Sequence, residues 1–203
     1  KVTYFSEINF KVPSCLDLIN LNIKNKVSSL LQTNKFKICQ VELHVLLKNG
    51  DSIPYHQDNF YHCTDPKDGV KILVPLNNLN FNSGGLIYLN TSRDFKTIKH
   101  ISSSIQNFSS YIPHEYIDSL NLGEKSYEYN PGDISYHFYS SIHYSLGNNS
   151  KSNKYFLVYR FENIMAKKCL ESVKLYEATK LESLSKIESQ RKVKSKEKNQ
   201  NLS

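Results

Sequence analysis

Apolar positions change their period several times along the 203-residue chain. Between 14 and 32, Leu16, Ile19, Ile23, Val27, Leu30 and Leu31 recur on one face of a 3.6-residue repeat, which predicts a helix capped by Ser14, with Asp17 in its first turn. From Phe36 to Leu47 the pattern becomes β-rich and ends at the Asn49-Gly50 turn. Further strands are predicted at 70–76, 86–89, 126–129, 134–138 and 154–162. They are punctuated by Asp68-Gly69, Ser83-Gly84-Gly85 and Asn130-Pro131-Gly132-Asp133. A short helix is predicted over 113–120.

One leading helix and several widely spaced strands predict a mainly β fold with flanking helices. The spacing suits a double-stranded β-helix, a jelly roll of the cupin kind, better than a meander of tight hairpins. Residues 1–165 form this domain. Residues 166–203 form a basic tail, helical where Leu170, Val173, Leu181, Leu184 and Ile187 recur, with no core-forming composition after Gln190.

Composition narrows the function classes. Hydrophobic residues make up 39% of the chain and aromatics 12%, as in a globular domain. No apolar run is long enough to span a membrane as a helix. The net charge of +7 is concentrated in the tail, where ten Lys or Arg face five Glu; the body has a surplus of two. A nearly neutral body argues against a nucleic-acid-binding domain, whose positive field should come from its folded face. Cys15, Cys39, Cys63 and Cys169 form no CxxC pair and are expected to stay reduced. With no leader visible at the start, a cytoplasmic location is expected.

The candidate chemistry starts at Pro54-Tyr55-His56-Gln57-Asp58. On an extended strand, side chains two apart point the same way, so His56 and Asp58 could reach one ion. A second imidazole is available at His143, ten residues beyond Asp133 in Gly132-Asp133; His137 competes with it. Two imidazoles and a carboxylate make the facial triad that suits non-haem Fe(II).

These residues resemble the phytanoyl-CoA dioxygenase family of Fe(II)- and 2-oxoglutarate-dependent oxygenases, from about Val41 to Phe161. The resemblance rests on three segments. They are His56-Gln57-Asp58, the run from Val74-Pro75-Leu76 to Gly84-Gly85-Leu86-Ile87-Tyr88-Leu89, and Gly132-Asp133 followed by His143, Ser145 and Asn148. It implies that His56, Asp58 and His143 hold iron. It also implies that 2-oxoglutarate is decarboxylated to succinate and CO2 while a small-molecule or carrier-bound substrate is hydroxylated or desaturated.

The family's co-substrate arginine, eleven residues beyond the distal histidine, falls here on Lys154. That lysine offers a point charge rather than a two-toothed fork. Arg160, on the same strand face, is the rival anchor. Ser145, Asn148 and Gln57 are further candidates around the co-substrate, and Tyr55, Tyr61 or Tyr88 could wall the site. Two other readings stay open: an oxygenase acting on a macromolecule through the basic tail, and a jelly-roll module that binds a ligand or partner without oxidising it.

Overall fold

In the computed structural model, which describes residues 2–105 and 108–200, the chain opens with strand β1 (Val2–Ser6) and helix α1 (Ile8–Lys11). The helix expected over 14–32 is broken in two. A 3-10 segment, Pro13–Leu18, precedes helix α2 (Leu21–Leu31). Asn20, not Ser14, caps α2, its side chain accepting from the Ile23 N–H at 3.1 Å. Ile23, Val27 and Leu31, four residues apart, are the buried stripe.

The strands follow as β2 (Phe36–Leu46), β3 (Ile53–His56), β4 (Gly69–Pro75) and β5 (Ile87–Leu89), with helix α3 (Asp58–His62) between β3 and β4. Then come β6 (Ile101–Ser102), β7 (Ser110–Tyr111), helix α4 (His114–Leu120) and β8 (Glu124–Ser126). Strands β9 (Ser135–Phe138), β10 (His143–Ser145) and β11 (Lys154–Asn163) complete the core, and helix α5 (Leu170–Gln200) ends it.

Two antiparallel sheets make the double-stranded β-helix that the sequence predicts. The larger has the order β1-β2-β11-β4-β9 and the smaller β3-β10-β5-β8. Alternation along β4 divides its side chains cleanly. Val70, Ile72 and Val74 join Val41, Leu157, Tyr159 and Phe161 in the core beneath α2. On the opposite face Leu73 joins Leu46, Phe156 and Val158, which meet Leu79, Leu86 and Tyr88 from the side of the smaller sheet. Lys71 also points into this space between the sheets, and there the candidate site lies.

Helix α5 continues past Gln190 to Gln200 and docks on α3, β6 and β7. Its docking face differs from the expected leucine stripe. Thr179 and Ser183 are buried, Tyr176 packs edge-on against Phe60 and Tyr61, and Lys186 Nζ reaches Ser102 Oγ at 2.5 Å. Leu170, Leu181 and Leu184 remain exposed. No helix among the described residues is long and apolar enough to cross a membrane.

Candidate metal centre

His56 is the last residue of β3, and it pairs in register with His143 at the start of β10; on the other side, His143 pairs with Tyr88 of β5. Backbone pairing therefore brings together two imidazoles 87 residues apart in sequence, with ring centroids 4.2 Å apart. Asp58 arrives by a route other than the one expected. The strand ends at His56, and Asp58 is the first residue of the short helix α3, so the turn into a helix, rather than strand alternation, aims its carboxylate at the rings. One ligand atom from each of His56, Asp58 and His143 can be chosen so that all lie within 4.8 Å of one another, and all three residues are buried.

The hydrogen bonds settle which nitrogen of each ring is free. His56 Nδ1 lies 2.9 Å from the Pro54 carbonyl and His143 Nδ1 lies 3.0 Å from the Ser141 carbonyl. A carbonyl only accepts, so each Nδ1 carries the proton, and the Nε2 lone pair of each ring is left for a metal. Burial pushes His56 down to about 4 and, together with the neighbouring imidazoles, takes His143 well below the usual histidine range. Both rings are therefore neutral at pH 7, the form in which imidazole ligates. Burial alone would raise the Asp58 carboxyl. The Lys71 ammonium and the His137 hydrogen bond outweigh it and hold Asp58 well below the ordinary carboxylate range.

Two residues outside the expected ligand set hold Asp58 in place. Lys71 Nζ donates to Oδ1 at 2.6 Å and His137 Nε2 donates to Oδ2 at 2.9 Å. Tyr88 Oη in turn donates to His137 Nδ1 at 3.2 Å. His137, the rival of His143, is thus turned onto the carboxylate and stands behind the triad. Lys71 was not singled out from sequence. The available signal was a lysine in the middle of Val70-Lys71-Ile72-Leu73-Val74, where an apolar residue would complete the strand.

The other expected co-substrate residues divide. Gln57 is fully buried with its amide taken up by backbone: Nε2 donates to Lys96 O and Ser140 O, and Oε1 accepts from the Ile98 N–H. Asn148 is equally committed, donating to Leu46 O and Ser152 O and accepting from Ser150. Both are corrected to structural roles, because no donor remains for a carboxylate. Ser145 lies on β10 with His143, buried, its Oγ accepting only a long 3.4 Å bond from Gly147 N–H. Arg160 stands in register with Lys71, donates to His62 Nδ1 at 3.2 Å and lies 3.8 Å from Glu162. Lys154, at the far end of the same strand, is paired with Leu46.

A cleft of about 400 Å³ has Tyr88 and His137, which stand behind the triad, in its wall together with Asn90, Lys125, Tyr127 and Tyr129; none of the three triad residues lines it. Of the three expected aromatic walls, Tyr88 lines this cleft. Tyr61 packs against His56 and donates to Ser110 O, and Tyr55 stacks on Tyr144 and donates to Glu124.

No protein-family model and no curated protein matches the chain. Solved structures do. EvdO2 from Micromonospora carbonacea var. aurantiaca, complexed with 2-oxoglutarate, superposes with a TM-score of 0.68 at 18% identity, over 83% of this chain and 69% of that one. The epimerase SnoN, in complex with Fe3+, alpha ketoglutarate and nogalamycin RO, gives 0.66 at 11% identity, over 86% and 68%. EctD from S. alaskensis, with 2-oxoglutarate and 5-hydroxyectoine, gives 0.63 at 16% identity, over 79% and 56%. The chain shares the jelly-roll fold of these structures.

Proposed function

We propose that this chain is an Fe(II)- and 2-oxoglutarate-dependent oxygenase that hydroxylates a small organic molecule. The observation that carries the reading is the convergence of His56, Asp58 and His143, all buried, on one point between the sheets. Iron and 2-oxoglutarate are present in structures that share the fold, and the donor set here fits ferrous iron: two neutral imidazoles and a carboxylate, leaving positions open for a chelating co-substrate and an oxidant.

When bound, iron with 2-oxoglutarate supplies an oxidation that releases succinate and CO2 and removes hydrogen from a C–H bond. The chain's own part is positional. The Pro54 and Ser141 carbonyls fix the two rings, and His137 and Lys71 fix the carboxylate. The tyrosine-lined cleft admits substrate past Tyr88 and His137, and its mixed polar and aromatic wall suits a ring bearing hydroxyls or amines. Fold neighbours include an epimerase and a carbocyclase, so hydroxylation is the part of the reading that product analysis must establish. All four cysteines are free, which fits the reducing cytoplasm.

The test is anaerobic addition of Fe(II) and 2-oxoglutarate. A visible charge-transfer band should appear and be absent in Asp58→Ala. Succinate release across a panel of small molecules should then identify the substrate. A folded protein that gives no band would instead be a ligand-binding module.

A further inference from the structure

Two of the four cysteines, far apart in sequence, are brought together by the backbone. Cys63 closes α3 in the left-handed conformation, at φ 56°, with its N–H donating to Asn59 O. Its own carbonyl accepts from the Cys169 N–H at 2.8 Å. Cys169 immediately precedes α5, and its carbonyl takes the first bond of that helix, from the Val173 N–H at 3.0 Å. With standard bond lengths, a backbone bond this short between the two residues keeps their Cα atoms within about 6.7 Å of each other. A disulfide spans roughly 4.4–6.8 Å between Cα atoms, so the pair lies in bridging range.

The two thiols differ in complementary ways. Cys169 is exposed, on the wall of a cavity of about 550 Å³ that Lys67, Lys96, Lys167 and Lys168 also line, so a small oxidant reaches it. Hydrogen bonds from the Ser172 side chain and backbone N–H, in the first turn of α5, hold its thiol below the ordinary range. The thiolate is the form that attacks an oxidant. Cys63 is only 2% exposed, its Sγ lies 3.4 Å from Phe60 O, and burial pushes its thiol up. It is shielded from an oxidant in solution yet adjacent to the residue that meets one. Cys15 and Cys39 are unlike either. Cys15 is buried in the core beneath α2, and Cys39 donates to Glu162 Oε2 at 3.2 Å, burial and that carboxylate pushing it up to about 11.

We propose that Cys169 and Cys63 are a redox-modification site, in which hydrogen peroxide oxidises Cys169 and Cys63 then closes a reversible disulfide between α5 and α3. In the first step the Cys169 thiolate attacks one peroxide oxygen, the O–O bond breaks and hydroxide leaves, giving a sulfenic acid. In the second the Cys63 sulfur attacks the Cys169 sulfur, an S–S bond forms as the S–O bond breaks, and the oxygen departs as water with the Cys63 proton. Two thiols are oxidised to one disulfide, and one peroxide is reduced to two waters once the hydroxide takes up the proton that Cys169 gave on ionising. Because α3 begins at Asp58, the bridge ties the segment carrying the triad's carboxylate to α5. A transient bridge of this kind is compatible with thiols that are otherwise kept reduced.

The test uses the full chain, reduced and then held in EDTA so that no iron-driven oxidation contributes. It is treated with a small excess of hydrogen peroxide, unfolded, alkylated and mapped by peptide mass spectrometry. Two of the four thiols should be lost, with the Cys63 and Cys169 peptides joined within one monomer and released by dithiothreitol, while Cys15 and Cys39 are alkylated in full. In Cys169→Ser, Cys63 should stay reduced. In Cys63→Ser, Cys169 should stop at the sulfenic acid and take up dimedone. Wild type in which Cys63 stays free, or in which Cys169 joins Cys15, Cys39 or a second monomer, overturns the proposal, and so does loss of the Cys63 thiol in C169S. The C169S arm replaces an exposed side chain and reads the result even should C63S fold poorly.

Discussion

His56 and His143 face each other across β3 and β10 because the backbone pairs them, and each ring is locked by a carbonyl two residues before it in its own chain segment. The geometry of the proposed metal site is thus built into the sheet pairing of the two histidines. Removing one imidazole of that pair, as in His143→Ala, should abolish tight Mn(II) binding, with a loss of at least about 100-fold by calorimetry, while leaving the far-ultraviolet circular dichroism unchanged. Retained affinity would move the centre elsewhere.

His137 acts through Asp58. Its Nε2–H donates to Oδ2, and Tyr88 holds its other nitrogen. Partners that orient a metal ligand in this way are commonly worth about 10–100-fold in metal affinity or activity. His137→Ala should therefore weaken Mn(II) binding by about that factor, well short of the loss in His143→Ala. Equal losses in the two variants would make His137 a ligand itself.

The long strands β2, β4 and β11 were legible in sequence because each is rich in β-branched, aromatic and other apolar residues, and the His56, Asp58 and His143 cluster was legible because His-x-Asp and a distant histidine are conspicuous residue types. The elements that the sequence hid are those set by tertiary pairing. Strand β3 is four residues long, and β1 is defined by its ladder to β2. The leading helix breaks at Ile19-Asn20 because Asn20 offers a cap that periodicity does not weigh. The leucines of α5 predicted its docking face wrongly: Thr179 and Ser183 are the buried residues, and Leu170, Leu181 and Leu184 stay exposed. Lys71 was hidden for the deepest reason. Its importance comes from being the register neighbour of His137 and Arg160, and register is invisible in a single strand's sequence.

Asn148 separates structural from co-substrate roles. It donates two hydrogen bonds and accepts two, tying the β10–β11 loop to the end of β2. Asn148→Ala leaves several of those backbone groups unsatisfied, and at roughly 1 kcal/mol for each bond the loss is about 2–4 kcal/mol. Urea denaturation should show it as a lower midpoint at constant slope, with 2-oxoglutarate affinity of the Mn(II)-loaded protein within about twofold of wild type. A large drop in that affinity with little change in stability would restore Asn148 to the co-substrate site.

Buried neutral histidines dictate the pH response of the metal-free protein. Burial depresses His56 to about 4 and His100 to about 3 and takes His62 and His143 well below the ordinary range. His100 shows why charging is resisted: its Nδ1–H donates to Ile98 O while Nε2 accepts from the Gln57 N–H, so a second ring proton would break the latter bond. Each of these groups titrates near 6.5 in the unfolded chain and lower in the folded one, so below pH 6.5 the unfolded state binds more protons and stability falls with pH. The loss starts near 6.5, continues down to each folded value and reaches at most about 1.4 kcal/mol per pH unit per histidine, or about 3 kcal/mol in all for His56. Depressed Asp58 acts in the same direction at still lower pH, its contribution being lost as pH falls below the unfolded carboxylate value. With EDTA present, the urea midpoint should drop markedly between pH 7.5 and 5. Mn(II) affinity should stay nearly flat over pH 7.5 to 5.5, because protons do not yet compete for the ligand nitrogens. A site built on exposed histidines would do the reverse, losing metal below pH 6.5 while the apo-protein's midpoint held steady.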